Sequence, residues 1–374
     1  MAIEIRPVSN RSELNQFIYL PGTIHRQHAN WIPPIYPDDK KYFDATRNPA
    51  CAYSDTLLVL ARQGKKVVGR NMGIINRRHN ELRHEHTGRF GYLECFEDRE
   101  VFDALMASVE DWARAKGMNR LVGPMGFSDQ DPEGWLIDGF DVEPTLTSYI
   151  NFEYLVRFIE ARGYVKEIDY VDYIVELPDV LPKLYERILN RLSRQTEFRL
   201  LEFTTRTELK PYIHRVFQLM NETYSEASIY GYVPMTEHEM DVLAKQYLPI
   251  VDPKFIKAVA KGEDVVAFVI GIPNINPGLR KARGELFPFG ILHLLSAMKK
   301  SRQLDLFLGA IRADCRGRGL DVMMGGAMMR SAIAAGFERS DSHHEMETNL
   351  QVRAEMERLG GKVAKRFRIF QKSL

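Results

Sequence analysis

Apolar residues that alternate with polar ones mark half-buried strands. Apolar residues every three or four positions mark helices that bury one face. Along this chain the first pattern falls at residues 4–8, 56–62, 66–75, 89–96, 120–124 and around 164–177. The second falls at 11–26, 98–116 and 152–161. Gln63-Gly64-Lys65 reads as a hairpin turn. From residue 199 the order starts again. A strand at 199–204 precedes helices at 208–227 and 237–246, then a hairpin of 255–260 and 264–272. A strand at 304–311, helices at 320–337 and 350–359, and a last strand at 366–371 complete it. Strands, hairpins and helices in alternation predict an α/β protein with mixed sheets. The repeat predicts two units, 1–178 and 198–374, joined by a charged helical segment at 179–197.

Only the second unit has a glycine-rich loop. Its strand 304–311 runs into Arg316-Gly317-Arg318-Gly319, and an apolar helix opens at Leu320. The first N–H groups of a helix lack internal partners, and the helix dipole adds partial positive charge there. Glycine lets the backbone approach a phosphate. Ile311 and Arg312 lead into the loop, and Arg312, Arg316 and Arg318 add formal charge. Arg316–Leu320, with Ile311 and Arg312 ahead of them, are therefore the candidate anion site. The matching place in the first unit reads Glu97-Asp98-Arg99. Two carboxylates at a helix start suit the dipole and repel phosphate.

The 374 residues suit two domains of common size. Hydrophobic content of 45% and charged content of 27% are ordinary for a globular protein. A net charge of +1 supplies no global field for nucleic acid or membrane. The three cysteines, Cys51, Cys95 and Cys315, form no CxxC pair, which argues against a disulfide framework or a zinc site. The first residues carry charges where a signal peptide needs an apolar core. No uninterrupted apolar run is long enough to span a bilayer. The expectation is a cytoplasmic protein without an integral membrane segment.

The strand, glycine loop and helix together resemble the acyl-CoA loop of the GNAT acyltransferase superfamily, written Q/R-x-x-G-x-G/A. Arg316, Gly317, Arg318 and Gly319 fit it, while Asp321 stands where the motif ends in Gly or Ala. GNAT domains tend to close with an Asn-containing helix, a glycine turn and a strand. Asn349, Arg358, Leu359 and Gly360 match this loosely, as do Asn151, Glu160, Gly163 and Tyr164 in the first unit. Met356 and Ile159 stand where that superfamily often carries the tyrosine that protonates the leaving thiolate. The whole chain is also similar to a bacterial family of tandem GNAT-like proteins, through residues 30–34, 123–128, 138–141 and 346–372. The resemblance implies two tandem GNAT-like domains with a degenerate first copy. It implies an N-acyltransferase that moves an acyl group from acyl-CoA to an amine, with coenzyme A at 311–320. A Fem-type aminoacyltransferase and a binding or scaffold protein that has lost its cofactor are the alternatives. Asp321, Met356 and Ile159 favour the latter.

Acyl transfer to an amine needs a base and a polarised carbonyl. The resemblance implies a glutamate base, for which this helix offers Glu222 and Glu226, with Glu222 taken as the base, Tyr224 beside it, and Tyr230, Tyr232 and Asn349 on the substrate side. Read without it, 221–232 is a helix end and a tyrosine-rich loop packed on the core. Asp305 is a weaker base, since a charge on a strand usually marks its solvent face. His79, His84 and His86 read as a solvated loop, and no metal site is expected. His343-His344-Glu345 reads as the polar approach to a strand, with proton handling as the alternative. The acidic loop 128–135 suits a cation or ordinary turns. Segment 277–302 sets apolar residues between basic ones. It reads as a helix that buries its apolar side, or as a membrane-surface contact or lid over an acyl chain at the second unit's cleft.

Overall fold

The computed structural model describes residues 2–374 apart from 147, 193–196, 227–228 and 249–250. The first half of the chain contributes β1 (Ile3–Pro7), β2 (Ser54–Gln63), β3 (Lys66–Asn76), β4 (Thr87–Cys95), β5 (Arg120–Gly123), β6 (Trp135–Asp138) and β7 (Val165–Glu176). The second contributes β8 (Arg199–Glu202), β9 (Ile256–Lys261), β10 (Asp264–Pro273), β11 (Gln303–Ile311), β12 (Arg339–Asp341), β13 (Glu345–Met346) and β14 (Lys362–Ser373). They form one mixed sheet in the order β1-β2-β3-β4-β5-β14-β7-β12-β11-β10-β9-β8, with β6 on β14 and β13 on β7. β4 with β5 and β11 with β12 run parallel. The expected mixed α/β architecture is present.

Sheet order and chain order part company at the centre. The last long strand of each half pairs with the fifth strand of the other: β14 with β5, and β7 with β12. β14 and β7 then pair with each other, from Lys362↔Ile174 to Gln371↔Val165. The sheet thus runs unbroken from residues 1–178 into 198–374. Between them a helix, Lys183–Leu192, is present, and 193–196 of the expected joining segment lie outside the described residues.

Alternation along β14 explains how one strand serves two cores. Neighbouring side chains of a strand point to opposite faces of the sheet. Phe367 and Ile369 pack with Val122, Ile150 and Ile168. Phe370 instead joins Phe90, Leu105 and Trp135.

In each half the parallel pair is short. β11 and β12 register only from Gln303↔Arg339 to Asp305↔Asp341, and β11 runs on to Ile311 after β12 stops. β4 and β5 behave alike, registering from Thr87↔Arg120 to Arg89↔Val122. The helix after β4 spans Arg99–Ala115, and the Asp98 carboxylate caps it by accepting from the N–H groups of Glu100 and Val101. The helix after β11 spans Leu320–Ala334, begins at Gly319 with φ +79°, and has no side-chain cap. Gly319 occupies a left-handed conformation that suits glycine.

Two local expectations are corrected. Residues 77–83 form a helix rather than a solvated loop, because the Asn76 side chain caps it at the His79 N–H, and His79 is buried. Asp305 faces the interior rather than solvent, held by Asn274 (3.0 Å) and Gln303 (2.7 Å). No helix among the described residues is long and apolar enough to cross a membrane.

Phe370→Ala should destabilise the protein by about 3–5 kcal/mol. Trp31, Trp112 and Trp135 all lie in the first half, so their fluorescence reports that half. A change at Phe370, four residues from the last position, should lower the denaturant midpoint they report. An unchanged midpoint would show that β14 is not part of the first half's core.

Candidate active site

Where β11 and β12 part, a cavity of about 690 Å³ opens, within the range that holds small ligands. One wall is apolar: Leu304 and Leu306 of β11, Met324 and Met328 of the Leu320–Ala334 helix, and Met356 and Leu359 at the helix Leu350–Arg358. The opposite end is polar and includes Asp129, Glu133, Tyr170, His343, His344 and Glu345.

Arg316 and Asp321 bring the glycine loop to the cavity. The first intrahelical bond runs from Met323 N–H to Gly319 O, so the N–H groups before it have no helical acceptor. The three arginines differ. Arg318 is held by Glu197 at 2.9 Å and Arg312 by Asp314 at 2.8 Å. Arg316 donates to the Ile311 carbonyl and has no carboxylate partner among the described residues. Asp321 interacts with Glu355, whose carboxyl is raised to about 7 by burial and by Asp321. A proton on Glu355 lets the pair share a hydrogen bond and moderates the repulsion that Asp321 presents to an anion.

At the polar end the His344 Nδ1 lies 2.8 Å from Asp172 Oδ1. Asp172 is fully buried, and His344 Nε2 is buried without a hydrogen-bond partner. Asp172 also lies 3.3 Å from the Lys365 ammonium, which is 2.6 Å from Asp341. Burial works to raise the Asp172 carboxyl, but His344 and Lys365 more than offset it and hold it well below the usual carboxylate range. An ionised Asp172 fixes a proton on Nδ1 and leaves Nε2 as a base. His343 takes another role: burial pushes its imidazole down to about 3, and its Nδ1 lies 2.8 Å from the Thr145 hydroxyl.

Asp129 Oδ1 and Glu133 Oε2 are also buried without partners. The Tyr170 hydroxyl interacts with Glu133 but makes no well-directed hydrogen bond. Burial, then Asp131, raises Asp129 to about 7. Buried acceptors without donors are costly. Their convergence on one cavity marks where a donor-rich ligand group would bind. The ligand atoms of Asp172, His343 and His344 lie within 4.8 Å of one another, as a metal site would require. The Lys365 ammonium 3.3 Å from Asp172 would repel a second cation, so the set fits a hydrogen-bonded relay better than a divalent ion.

No protein-family model matches the chain. Two curated proteins resemble it along nearly their full length. A bacterial ceramide synthase of Caulobacter vibrioides (strain NA1000 / CB15N) is 27% identical over 385 residues, covering 100% of this chain and 98% of that protein. Protein YghO of Escherichia coli (strain K12) is 26% identical over 378 residues, covering 99% and 95%. Among solved structures, a tandem GNAT protein from the clavulanic acid biosynthesis pathway superposes with a TM-score of 0.58 at 12% identity, covering 100% of this chain and 98% of that one. The chain has a tandem GNAT fold. An identity this low establishes the fold and leaves the reaction to the site.

Within the tandem GNAT fold the residues singled out from sequence divide into two groups. Ile311, Arg316, Tyr224 and Asn349 line the cavity. The Tyr224 hydroxyl donates to Gly309 O, and Asn349 caps the Leu350–Arg358 helix. Arg312, Gly317, Arg318 and Gly319 shape the loop without lining the cavity, and Leu320 is buried in the core behind it. Glu222 is exposed. Met220, Thr223 and Tyr224 occupy the inward face of its helix, which turns position 222 to solvent. Tyr232 is buried and donates to Asn221, and Tyr230 donates to Glu167, so neither reaches the cavity. Ala227 and Ser228 of the tyrosine-rich loop lie outside the described residues. The 277–302 segment does not cover the cavity. Its helices, Asn276–Ala282 and Gly290–Lys300, set Leu279 and Leu294 against Ile32, Ile35 and Leu146 of the first half.

The sequence offered proton handling at His343-His344-Glu345 and a cation at the acidic loop only as alternatives, and did not join either to Asp172. The signals present were the His343-His344-Glu345 run and the acidic loop 128–135. Asp172 had none, because an acid in an alternating strand reads as solvent-facing.

Burial, followed by Asp172, raises the Glu345 carboxyl to about 8. The unfolded chain releases this proton near pH 4.5, so between about pH 5 and 8 the native state binds more protons. This group's contribution therefore makes stability fall as pH rises through that window. Glu345→Gln should flatten the decline of the thermal midpoint from about pH 5 to 8. An identical slope in the variant would show that Glu345 does not titrate with folding.

Proposed function

We propose that this protein is an N-acyltransferase that takes a long acyl chain from acyl-CoA and transfers it to the amine of a lipid-like acceptor. One cavity joining the glycine loop, the apolar wall and an acceptor-rich polar end carries the reading. The free N–H groups at the start of the Leu320–Ala334 helix and Arg316 suit the pyrophosphate of coenzyme A. The Leu304–Met328 wall suits an alkyl chain. Asp129, Glu133 and Tyr170 suit an ammonium group. The relative named a ceramide synthase supports a long-chain acceptor, since a ceramide is the amide of a long-chain amino alcohol. Residues 198–374 form the donor-binding copy. Residues 1–178 form a copy whose Asp98 occupies its own helix start.

The acceptor enters as an ammonium ion and loses one proton at the acidic end. Its nitrogen attacks the thioester carbonyl. As the C–N bond forms and the C–S bond breaks, His344 Nε2 takes the second proton and returns it to the CoA thiolate. Asp172 holds the imidazole by Nδ1 and stabilises its cation, a positioning role.

Acyl-CoA affinity should rise with chain length. Each buried methylene contributes about 0.8 kcal/mol, roughly fourfold in Kd. Met328→Trp should abolish that rise by filling the wall, and Arg316→Glu should weaken all acyl-CoAs alike. Calorimetry across chain lengths checks both, and equal affinity for short and long chains in the parent protein would refute the channel. His344→Gln should lower kcat about 10²–10⁴-fold with acyl-CoA affinity intact. Retained turnover would remove His344 as the base, and loss of acyl-CoA binding would make it structural.

A further inference from the structure

The helical pair Asn276–Ala282 and Gly290–Lys300 buries one side and leaves the other uncovered. Leu279 and Leu294 face the first half. Phe287 and Phe289, on the turn between the helices, leave 77% and 65% of their surface open, and Ile291, Leu292 and Leu295 are exposed on the following helix. Half of the exposed large apolar side chains among the described residues fall within these nine consecutive positions. Such clustering marks an interaction surface.

The charge around it has one sign. Residues 277–302 hold six basic residues and one acid. That acid, Glu285, accepts from the Tyr19 hydroxyl. Arg280 is held by Glu143 and Arg302 by Glu338. Lys281, Arg283, Lys299 and Lys300 are exposed and have no carboxylate partner among the described residues. Lys299 follows Leu295 by one helical turn, so the apolar face ends in positive charge. Exposed aromatic and aliphatic side chains bordered by free lysines complement a lipid surface with negative headgroups. A chain of net charge +1 has no such field overall, so this concentration is local.

We propose that the turn and outer face of this helical pair dock on a bilayer carrying anionic lipids, with Phe287, Phe289 and Leu292 in the acyl boundary and Lys281, Lys299 and Lys300 at the phosphates. Docking of this kind lays the helices in the interface and crosses nothing. The base of the pair reaches the site through hydrogen bonds. Asn276 donates to Pro144 O, Lys365 donates to Glu143 O, and Lys365 lies against Asp172. The proposal is independent of the reaction, because docking is read without turnover.

Vesicle flotation of the full chain tests it, using phosphatidylcholine alone and phosphatidylcholine mixed with phosphatidylglycerol. The protein should float with the mixed vesicles, much less with the neutral ones, and be released by high salt. The double variant Phe287→Ser, Phe289→Ser should bind at least about tenfold more weakly. Lys299→Glu, Lys300→Glu should remove the preference for the anionic vesicles. All four positions are exposed, and an unchanged thermal midpoint confirms that the variants fold. Absence of flotation, equal binding to both vesicles, or binding that the variants leave unaltered would overturn the proposal. So would a dimer in sedimentation velocity that the phenylalanine variant dissociates, since a second copy would then cover this face.

Discussion

A buried ammonium group holds the middle of this molecule together. Lys365 lies on β14, Asp172 on β7 and Asp341 on β12, so three neighbouring strands each contribute one charge to a fully buried cluster. Removing one partner from such a cluster leaves an uncompensated charge in a medium that solvates it poorly. The ladder also registers Lys365 opposite Asp172. A slip by one position would turn the ammonium to the other face and strand two carboxylates. The cluster thereby selects the register in which β14 enters between β5 and β7. The site inherits this arrangement. Asp172 is ionised because Lys365 and His344 face it, and Asp341 accepts from the His343 backbone N–H, fixing the turn that presents His344.

The exchange of last strands is symmetric, and the two copies differ instead at one helix start. Both have a parallel pair that parts after three registered positions and a helix that follows the longer strand. They differ in what satisfies the helix start. In the first copy the Asp98 carboxylate accepts from two backbone N–H groups, which leaves little positive potential for an outside anion. In the second, Gly319 brings no side chain and the amides stay open. A single choice at the residue before a helix decides which copy keeps those amides open.

Legibility from sequence followed the range of the interactions. Strands, hairpins and the glycine loop depend on neighbours in the chain, and they stand within a few residues of where alternation and punctuation put them. The insertion of β14 depends on partners about 200 residues away, and alternation says nothing about which strand lies alongside. Buried polar groups were the other blind spot. Asp172, Lys365 and Asp305 sit in strands as charges that ordinarily face water, and only the cluster reverses that meaning. Glu222 shows the opposite case. Its neighbourhood of tyrosines looked chemical, yet helical phase turns it outward while Tyr224 faces the cavity.

In the first copy Asp98 closes the helix start after β4, yet the cavity cannot be built without that copy. The donor side comes from the second half: β11, the glycine loop and the helix Leu350–Arg358. The polar side takes Asp129, Glu133, Tyr170 and Asp172 from the first half. Only His344 and its neighbours come back across the junction to meet them. A lone second copy would therefore keep the open amides and the apolar wall but lose the carboxylate that holds His344 and the acids at the polar end. On this account duplication supplied a second surface rather than a second active centre. The strand exchange keeps that surface in place, because it makes separation of the halves equivalent to unfolding the sheet.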